Sequence, residues 1–237
     1  MTACAVIVLR PEPSNVATVA AAQTLGLNAI ATPMSRVEPV AWAAPPPERF
    51  DAILLGSANA VRHGGDGLAN LTRLPVYAVG EVTAAAAREA GFTVVACGTG
   101  GIAELLSRLA ADDRSRVLRL AGEEHVPIEP PIGMQVQTLV AYTVRPLPLS
   151  PEAVNASAQG AVVLLHSAVA AERFADQCDA LGIDRSTVSL ACLGPRIAAA
   201  AGDGWRRVGV APRPDDPDLL ALAARMCQSA EVGSTTT

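Results

Sequence analysis

Four short segments of this chain carry residue types that hold anions. They are Leu55-Gly56-Ser57-Ala58-Asn59, Val79-Gly80-Glu81-Val82-Thr83, His166-Ser167-Ala168 and Leu193-Gly194-Pro195-Arg196. Each follows a short apolar run and leads into an Ala-rich stretch of helical character. A chain that passes from a strand into a helix presents the helix's unpaired backbone N–H groups and the positive end of its dipole, which suit carboxylate or phosphate. Gly56, Gly80 and Gly194 let a ligand come close to the backbone. Ser57, Thr83 and Ser167 add a hydroxyl, and Arg196 adds a planar guanidinium that matches a carboxylate. One such Ser or Thr reads equally well as a helix cap. Four such loops, all at the ends of expected strands, point to an anion-binding surface.

The elements that must position these loops repeat along the chain. Strands are expected at 4–9, 29–33, 52–55, 76–79, 93–96, 117–120, 136–144, 161–165, 188–193 and 207–210. Helices are expected at 14–25, 83–90, 102–111, 168–181 and 217–227. Continuous apolar strands alternating with helices indicate an α/β fold with parallel sheets covered on both faces. The run from Asp51 through Gly91 and the run from Gly160 through Trp205 follow one plan. Each goes strand, serine, helix, strand, glycine turn, Ala-rich helix. The expectation is therefore two similar α/β domains. Proline-rich stretches at 39–47 and 145–151 suit crossings between them. They divide the chain into a first, discontinuous domain of 1–35 plus 145–237 and an inserted domain of 36–144. The polar C-terminal segment 231–237 reads as disordered.

Composition narrows the chemistry. All 18 basic residues are Arg and none is Lys. That removes Schiff-base enzymes and the Gly-Lys-Ser/Thr phosphate loop. A net charge of -5 and only three Phe, two Tyr and two Trp argue against nucleic acid as the partner. The five cysteines are odd in number and lack Cys-x-x-Cys spacing, so neither a disulfide framework nor a structural zinc site is expected. Cys4, Cys97 and Cys192 read as small buried hydrophobes. His63, His125 and His166 form no ligand motif. No apolar run approaches the roughly 20 residues of a spanning helix. The apolar run at the N-terminus has no basic start and reads as a first strand. The expectation is a cytoplasmic protein with no membrane partner and no metal-ligand cluster.

The ordered series of motifs resembles the uroporphyrinogen-III synthase family. The residues that carry the resemblance are Val8-Leu9-Arg10-Pro11, Gly56-Ser57-Ala58-Asn59-Ala60-Val61, Ala78-Val79-Gly80-Glu81-Val82-Thr83-Ala84, Val140-Ala141-Tyr142-Thr143, His166-Ser167-Ala168 and Leu193-Gly194-Pro195. They span nearly the whole chain. The resemblance implies two α/β domains joined by a two-stranded ladder, with the N-terminal segment completing the C-terminal domain. It implies a monomeric, cofactor-free enzyme that cyclises hydroxymethylbilane to uroporphyrinogen III, losing water and inverting the last pyrrole ring. The small-molecule substrate carries eight carboxylates, so an acidic protein must bind it through local groups rather than a global field.

On this reading Arg10, Ser57, Gly80, Thr83, Ser167, Gly194 and Arg196 bind substrate in a cleft between the domains. Arg62 and Arg119 are further cations, of which Arg62 reads as a solvated surface charge. Tyr142 stands where the family has a tyrosine, and its phenol can donate a hydrogen bond or proton to the departing hydroxyl; a packed aromatic on a ladder strand is the competing reading. Three places depart from the family pattern. Arg196-Ile197 replaces a threonine-bearing turn, and Ala121 and His125 stand where the family often has Arg. Pro127, Pro130 and Pro131 break the helix expected there. The alternative class is a non-catalytic two-domain binding protein for a carboxylate or phosphate ligand.

Overall fold

The computed structural model describes residues 4–232. Of the polar segment 231–237, residues 231 and 232 end the last helix, and the remainder lie outside the described residues. In chain order, β1 (Ala5–Val8), α1 (Ser14–Thr24), β2 (Asn28–Ala31) and β3 (Ser35–Pro39) come first. Then follow β4 (Ala52–Leu55), α2 (Asn59–Arg62), β5 (Val76–Val79), α3 (Glu81–Glu89), β6 (Val94–Gly98), α4 (Ile102–Ala111), β7 (Arg116–Gly122) and β8 (Gln135–Pro146). The chain closes with α5 (Pro151–Ala158), β9 (Val162–Leu165), α6 (Ala168–Leu181), β10 (Ser189–Cys192), α7 (Pro195–Ala200), β11 (Arg207–Val210) and α8 (Asp216–Val232).

The chain forms two compact units, residues 1–36 with 146–237, and residues 37–145. The fold is α/β in both. The first unit holds a parallel sheet of order β11-β10-β9-β1-β2, so the N-terminal strands complete a sheet begun by C-terminal ones. The second unit holds a sheet of order β3-β8-β7-β4-β5-β6. The chain crosses between units within β3 and at the end of β8, and these two strands are neighbours in that sheet. β3 was not among the expected strands. Its sequence Ser-Arg-Val-Glu-Pro has no apolar run, and pairing with β8 supplies what propensity does not.

Side-chain alternation explains why the other strands read as continuous apolar runs. Ile7, Val163, Leu165 and Leu190 pack on one face with Phe174 and Cys178 of α6. Val6, Val8, Val162, Leu164 and Ala191 pack on the other with Leu219, Leu220 and Ala223 of α8. The second sheet repeats the plan: Ile53, Leu55, Leu118 and Leu120 face one way, and Ala52, Leu54, Val117 and Tyr77 face α4. Both faces of each strand are buried, so both residue parities must be apolar.

Two cysteine expectations fail. Cys4 and Cys227 form a disulfide across a sequence separation of 223. Packing of α8 on the β1 face brings them together, which spacing along the chain could not show. Cys97 is exposed on β6, the edge strand, while Cys178 and Cys192 are buried free thiols. Burial pushes the thiol pKa of Cys178 up to about 12 and that of Cys192 up to about 11.

The link from β7 to β8 is unusual. The two strands run parallel, yet residues 123–134 join them without a helix. A parallel connection must run back the length of the strand. Pro127, Pro130 and Pro131 keep it irregular. Ile128 and Met134 of this strap pack on the α4 face, where a helix would otherwise lie.

Candidate active site

In an open parallel sheet a ligand crevice opens at the carboxyl ends of two adjacent strands whose connections leave in opposite directions. In the first unit these are β1 and β9, since β1 leads through α1 to β2 on one side and β9 through α6 to β10 on the other. In the second unit they are β4 and β7. The expected site residues fall around these two places.

At the first, the residues after β1 and β9 meet the start of α8. Arg10 donates from Nη1 to both carboxylate oxygens of Asp216, at 2.9 and 2.8 Å, and to Thr18 Oγ1 at 3.2 Å. The Thr18 hydroxyl donates to Asp216 Oδ2 at 2.6 Å, and His166 Nε2 lies 3.2 Å from Oδ1. Asn15, fully buried, donates to the carbonyls of Val8 and Arg10 and holds the loop. Arg10 is therefore paired with an internal carboxylate. Burial acts to raise the Asp216 pKa, but the Thr18 hydrogen bond and the charges of Arg10 and His166 outweigh it and hold the carboxyl below its usual range.

Three buried polar atoms here have no partner among the described residues: Arg10 Nε, Asn15 Oδ1 and His166 Nδ1. The His166 side chain is only 9% exposed. Burial, with the charge of Arg10, lowers its pKa below the ordinary histidine value despite Asp216. Neutral His166 donating from Nε2 leaves its Nδ1 lone pair facing the interior. A depressed histidine pKa means that protonation favours the unfolded chain. Its contribution is complete above the unfolded value of about 6.5 and is lost as pH falls from there toward the folded pKa. The melting temperature of wild type should therefore drop between pH 7.5 and pH 5 by more than that of His166→Gln. Parallel declines would show that His166 does not carry the effect.

The remaining first-unit residues behave differently from one another. Ser167 Oγ accepts from Ala170 N at 3.1 Å and caps α6, so its hydroxyl does local work. Gly194 opens α7 with no side-chain cap, and Arg196 stands exposed in its first turn.

In the second unit, Ser57 follows β4 but does not cap α2. Its Oγ accepts from Asn59 N at 3.2 Å, and the cap residue is Ala58, without a side-chain bond. Gly80 opens α3 at φ 75°, a left-handed conformation that favours glycine, and no side chain caps this helix. Thr83 is the third residue of α3 rather than its cap, which corrects the expectation. It is 4% exposed, and its hydroxyl makes no hydrogen bond among the described residues. Two of the four anticipated loops, those before α3 and α7, thus lead into helices whose first amides no side chain covers among the described residues. Thr83→Val should leave the melting temperature within the shift of about 0.5 kcal/mol usual for a neutral change, because no cap is lost. A larger fall would reveal an internal partner for the hydroxyl.

Tyr142 completes this end of the second sheet. A bulge between Ala121 and Gly122 puts Gly122 opposite Tyr142. The ring lies against Gly122 so closely that a Cβ there would sit 2.7 Å from it. Tyr142 is half-buried, and its hydroxyl makes no hydrogen bond among the described residues. His125 Nδ1 meets the Gly122 carbonyl at 2.8 Å, so it shapes the turn after β7. Arg62 is exposed. Arg119 is buried on β7, two residues before Ala121 and on the same strand face by alternation.

Sequence reading missed Asn15, Asp216, Gly122 and the part played by His166. Asp216 had one signal, an acidic residue directly before the proline that opens the last helix. Gly122 had none, because only the bulge brings a ring over it.

Among known proteins, the family described as Uroporphyrinogen-III synthase HemD matches over residues 16–221. The chain belongs to the uroporphyrinogen-III synthase family. A comparison with curated proteins finds no match. Two solved structures share the fold. The uroporphyrinogen-III synthetase of Helicobacter pylori 26695 is 17% identical, with a TM-score of 0.61, covering 94% of this chain and 99% of that one. A triple mutant of the uroporphyrinogen III synthase of Thermus thermophilus, an extremely thermophilic bacterium, is 22% identical, with a TM-score of 0.51, covering 96% and 100%. The family resemblance read from the sequence, the α/β fold class and the enzyme class all stand. The activity of a uroporphyrinogen-III synthase is closure of the linear tetrapyrrole hydroxymethylbilane, with loss of water and inversion of one ring.

Proposed function

We propose that this member of the uroporphyrinogen-III synthase family receives the carboxylate arms of hydroxymethylbilane at the uncapped starts of α3 and α7 and at the Ser57 turn before α2, and that Tyr142 assists departure of the hydroxyl. The observation that carries this reading is the phenol itself. It is half-buried beside the carboxyl end of β7, and its hydroxyl is uncommitted among the described residues. Ser57, Gly80, Thr83, Gly194 and Arg196 serve as the binding set, with Arg10 and Ser167 holding the backbone that carries them.

The chemistry begins when hydroxide leaves the terminal methylene, pushed out by the pyrrole nitrogen, to give an azafulvene. A hydrogen bond or proton from Tyr142 lowers that barrier. The electrophilic carbon is attacked by the substituted position of the distal ring, giving a spiro-pyrrolenine. Its fragmentation and re-closure invert the ring. The backbone N–H groups at the helix starts fix the arms, and so choose the conformer that closes with inversion.

We read the enzyme as a cytoplasmic monomer without a nucleic-acid or membrane partner. No helix among the described residues is long and apolar enough to cross a membrane. In a compartment that keeps thiols reduced, Cys4 and Cys227 would stand as an adjacent thiol pair. Incubation with enzymatically generated hydroxymethylbilane, followed by oxidation and isomer analysis, tests the activity. Uroporphyrin III is the expected product. Formation of the I isomer alone, at the rate seen without protein, would overturn the reading.

A further inference from the structure

Arg119 is a buried cation without an acid. It is 3% exposed, yet among the described residues no carboxylate pairs with it. Its one side-chain hydrogen bond among the described residues runs from Nη2 to the backbone carbonyl of Val126, at 3.0 Å. Arg116, on the same strand and exposed, has Asp51 at 2.6 Å. Burial lowers the pKa of Arg119, and the neighbouring phenol of Tyr142 opposes that shift. A guanidinium stays ionised under such a shift. A buried charge answered by one carbonyl leaves most of its desolvation cost uncompensated.

The cover over Arg119 is thin in a specific way. By alternation Arg119 faces the α4 side of the sheet, where the strap 123–134 replaces a helix. Val126, whose carbonyl Arg119 holds, is itself 74% exposed. Between the strap and α4 lies a cavity of about 690 Å³, lined by Ile102, Leu106, Val126, Ile128 and Pro131 among others. That volume fits a pyrrole ring with its side arms. One acidic group, Glu129, borders it, and Glu104 lies nearby on α4. Glu104 is held by the backbone N–H of Gly100, and Glu129 is exposed on the strap. Glu123, at the start of the strap, accepts from Thr143 and lies near Arg145.

We propose that Arg119 anchors a carboxylate arm of the substrate, in a subsite formed by β7, α4 and the 123–134 strap, with the attached ring in the apolar cavity. The inference deepens the tetrapyrrole reading above and rests on it for the substrate class. The guanidinium exchanges or shares its Val126 contact with the incoming carboxylate, and the strap closes over the arm. Arg119 is then a binding residue that costs the empty protein stability.

That cost gives the test. Arg119→Met fills the same space without a charge, and burial of the stem is kept. The probe is uroporphyrin III, the oxidised octacarboxylate product, titrated by fluorescence quenching, with melting temperatures of the ligand-free proteins measured alongside. Arg119→Met should melt at or above the wild-type temperature and bind the probe about 10- to 100-fold more weakly, as expected for loss of a charge-assisted pair. Arg119→Lys should recover part of the affinity. A lower melting temperature with unchanged affinity would make Arg119 a structural latch for the strap and overturn the proposal. So would wild type that fails to bind the probe. Turnover separates this from the proposed function. Wild type that makes the III isomer, with probe affinity unchanged in Arg119→Met, keeps the activity and loses the subsite. Wild type without turnover, but with affinity that depends on Arg119, does the reverse.

Discussion

Tyr142→Phe is expected to keep the fold and lose turnover by up to about 10²- to 10⁴-fold, the usual range for general acid help. The hydroxyl it removes makes no hydrogen bond among the described residues, so its loss leaves no internal partner stranded. Stability should therefore change by no more than about 0.5 kcal/mol. Binding of uroporphyrin III should persist, because the arms are held elsewhere. The product released should still be the III isomer, since ring orientation is set by alignment of the chain. The azafulvene forms readily once the nitrogen lone pair is aligned, which is why a single phenol assists rather than decides. Stopped-flow turnover with isomer analysis checks all of this. Wild-type turnover in the variant would reduce Tyr142 to packing. A switch to the I isomer at full rate would make it a steering group.

Gly122→Ala should cost activity through the same phenol without touching it chemically. A methyl group at 122 would lie 2.7 Å from two ring carbons of Tyr142 and 3.0 Å from its oxygen. Those distances are far inside contact, so the ring must swing away. Because Tyr142 is only half-buried it has room to do so, and the destabilisation should be about 1–2 kcal/mol, as for other overpacked sites. Turnover should fall toward that of Tyr142→Phe. In the double variant the two losses should not add, because both remove the same hydroxyl from its place. Additive losses would show that Gly122 acts independently, and unchanged turnover in Gly122→Ala would show that the position of the phenol is unimportant.

The local signals in this chain are strong where burial is two-sided. β1, β4 and β9 read from four-residue apolar runs because each parity meets a helix-covered face. α6 begins at Ala168 and ends at Leu181 because Ser167 caps it and Gly182 adopts the left-handed conformation after it, both local events. The strand-end placement of Gly56, Gly80 and Gly194 is likewise a property of neighbouring residues. So is the irregularity of the strap, which three prolines impose. Even the family could be read this way, since its motifs are short segments in a fixed order.

Tertiary structure decided everything that depends on which segments become neighbours. Arg10 has no acid beside it in sequence, and its pairing with Asp216, 206 positions away, exists only once β1 is set beside β9 and α8 is packed. Cys4 looked like a buried hydrophobe until the same helix delivered Cys227. Thr83 looked like a cap because its hydroxyl is of the right type, but α3 begins two residues earlier, at Glu81 after Gly80. Arg119 looked like one of four candidate cations, and only the parallel β7–β8 pair and its strap bury it without an acid among the described residues. Hydrophobic periodicity and capping act over a few residues, so the sequence states them directly. Charge pairing and desolvation act through space, and the distances that set them exist only once the strand order is made.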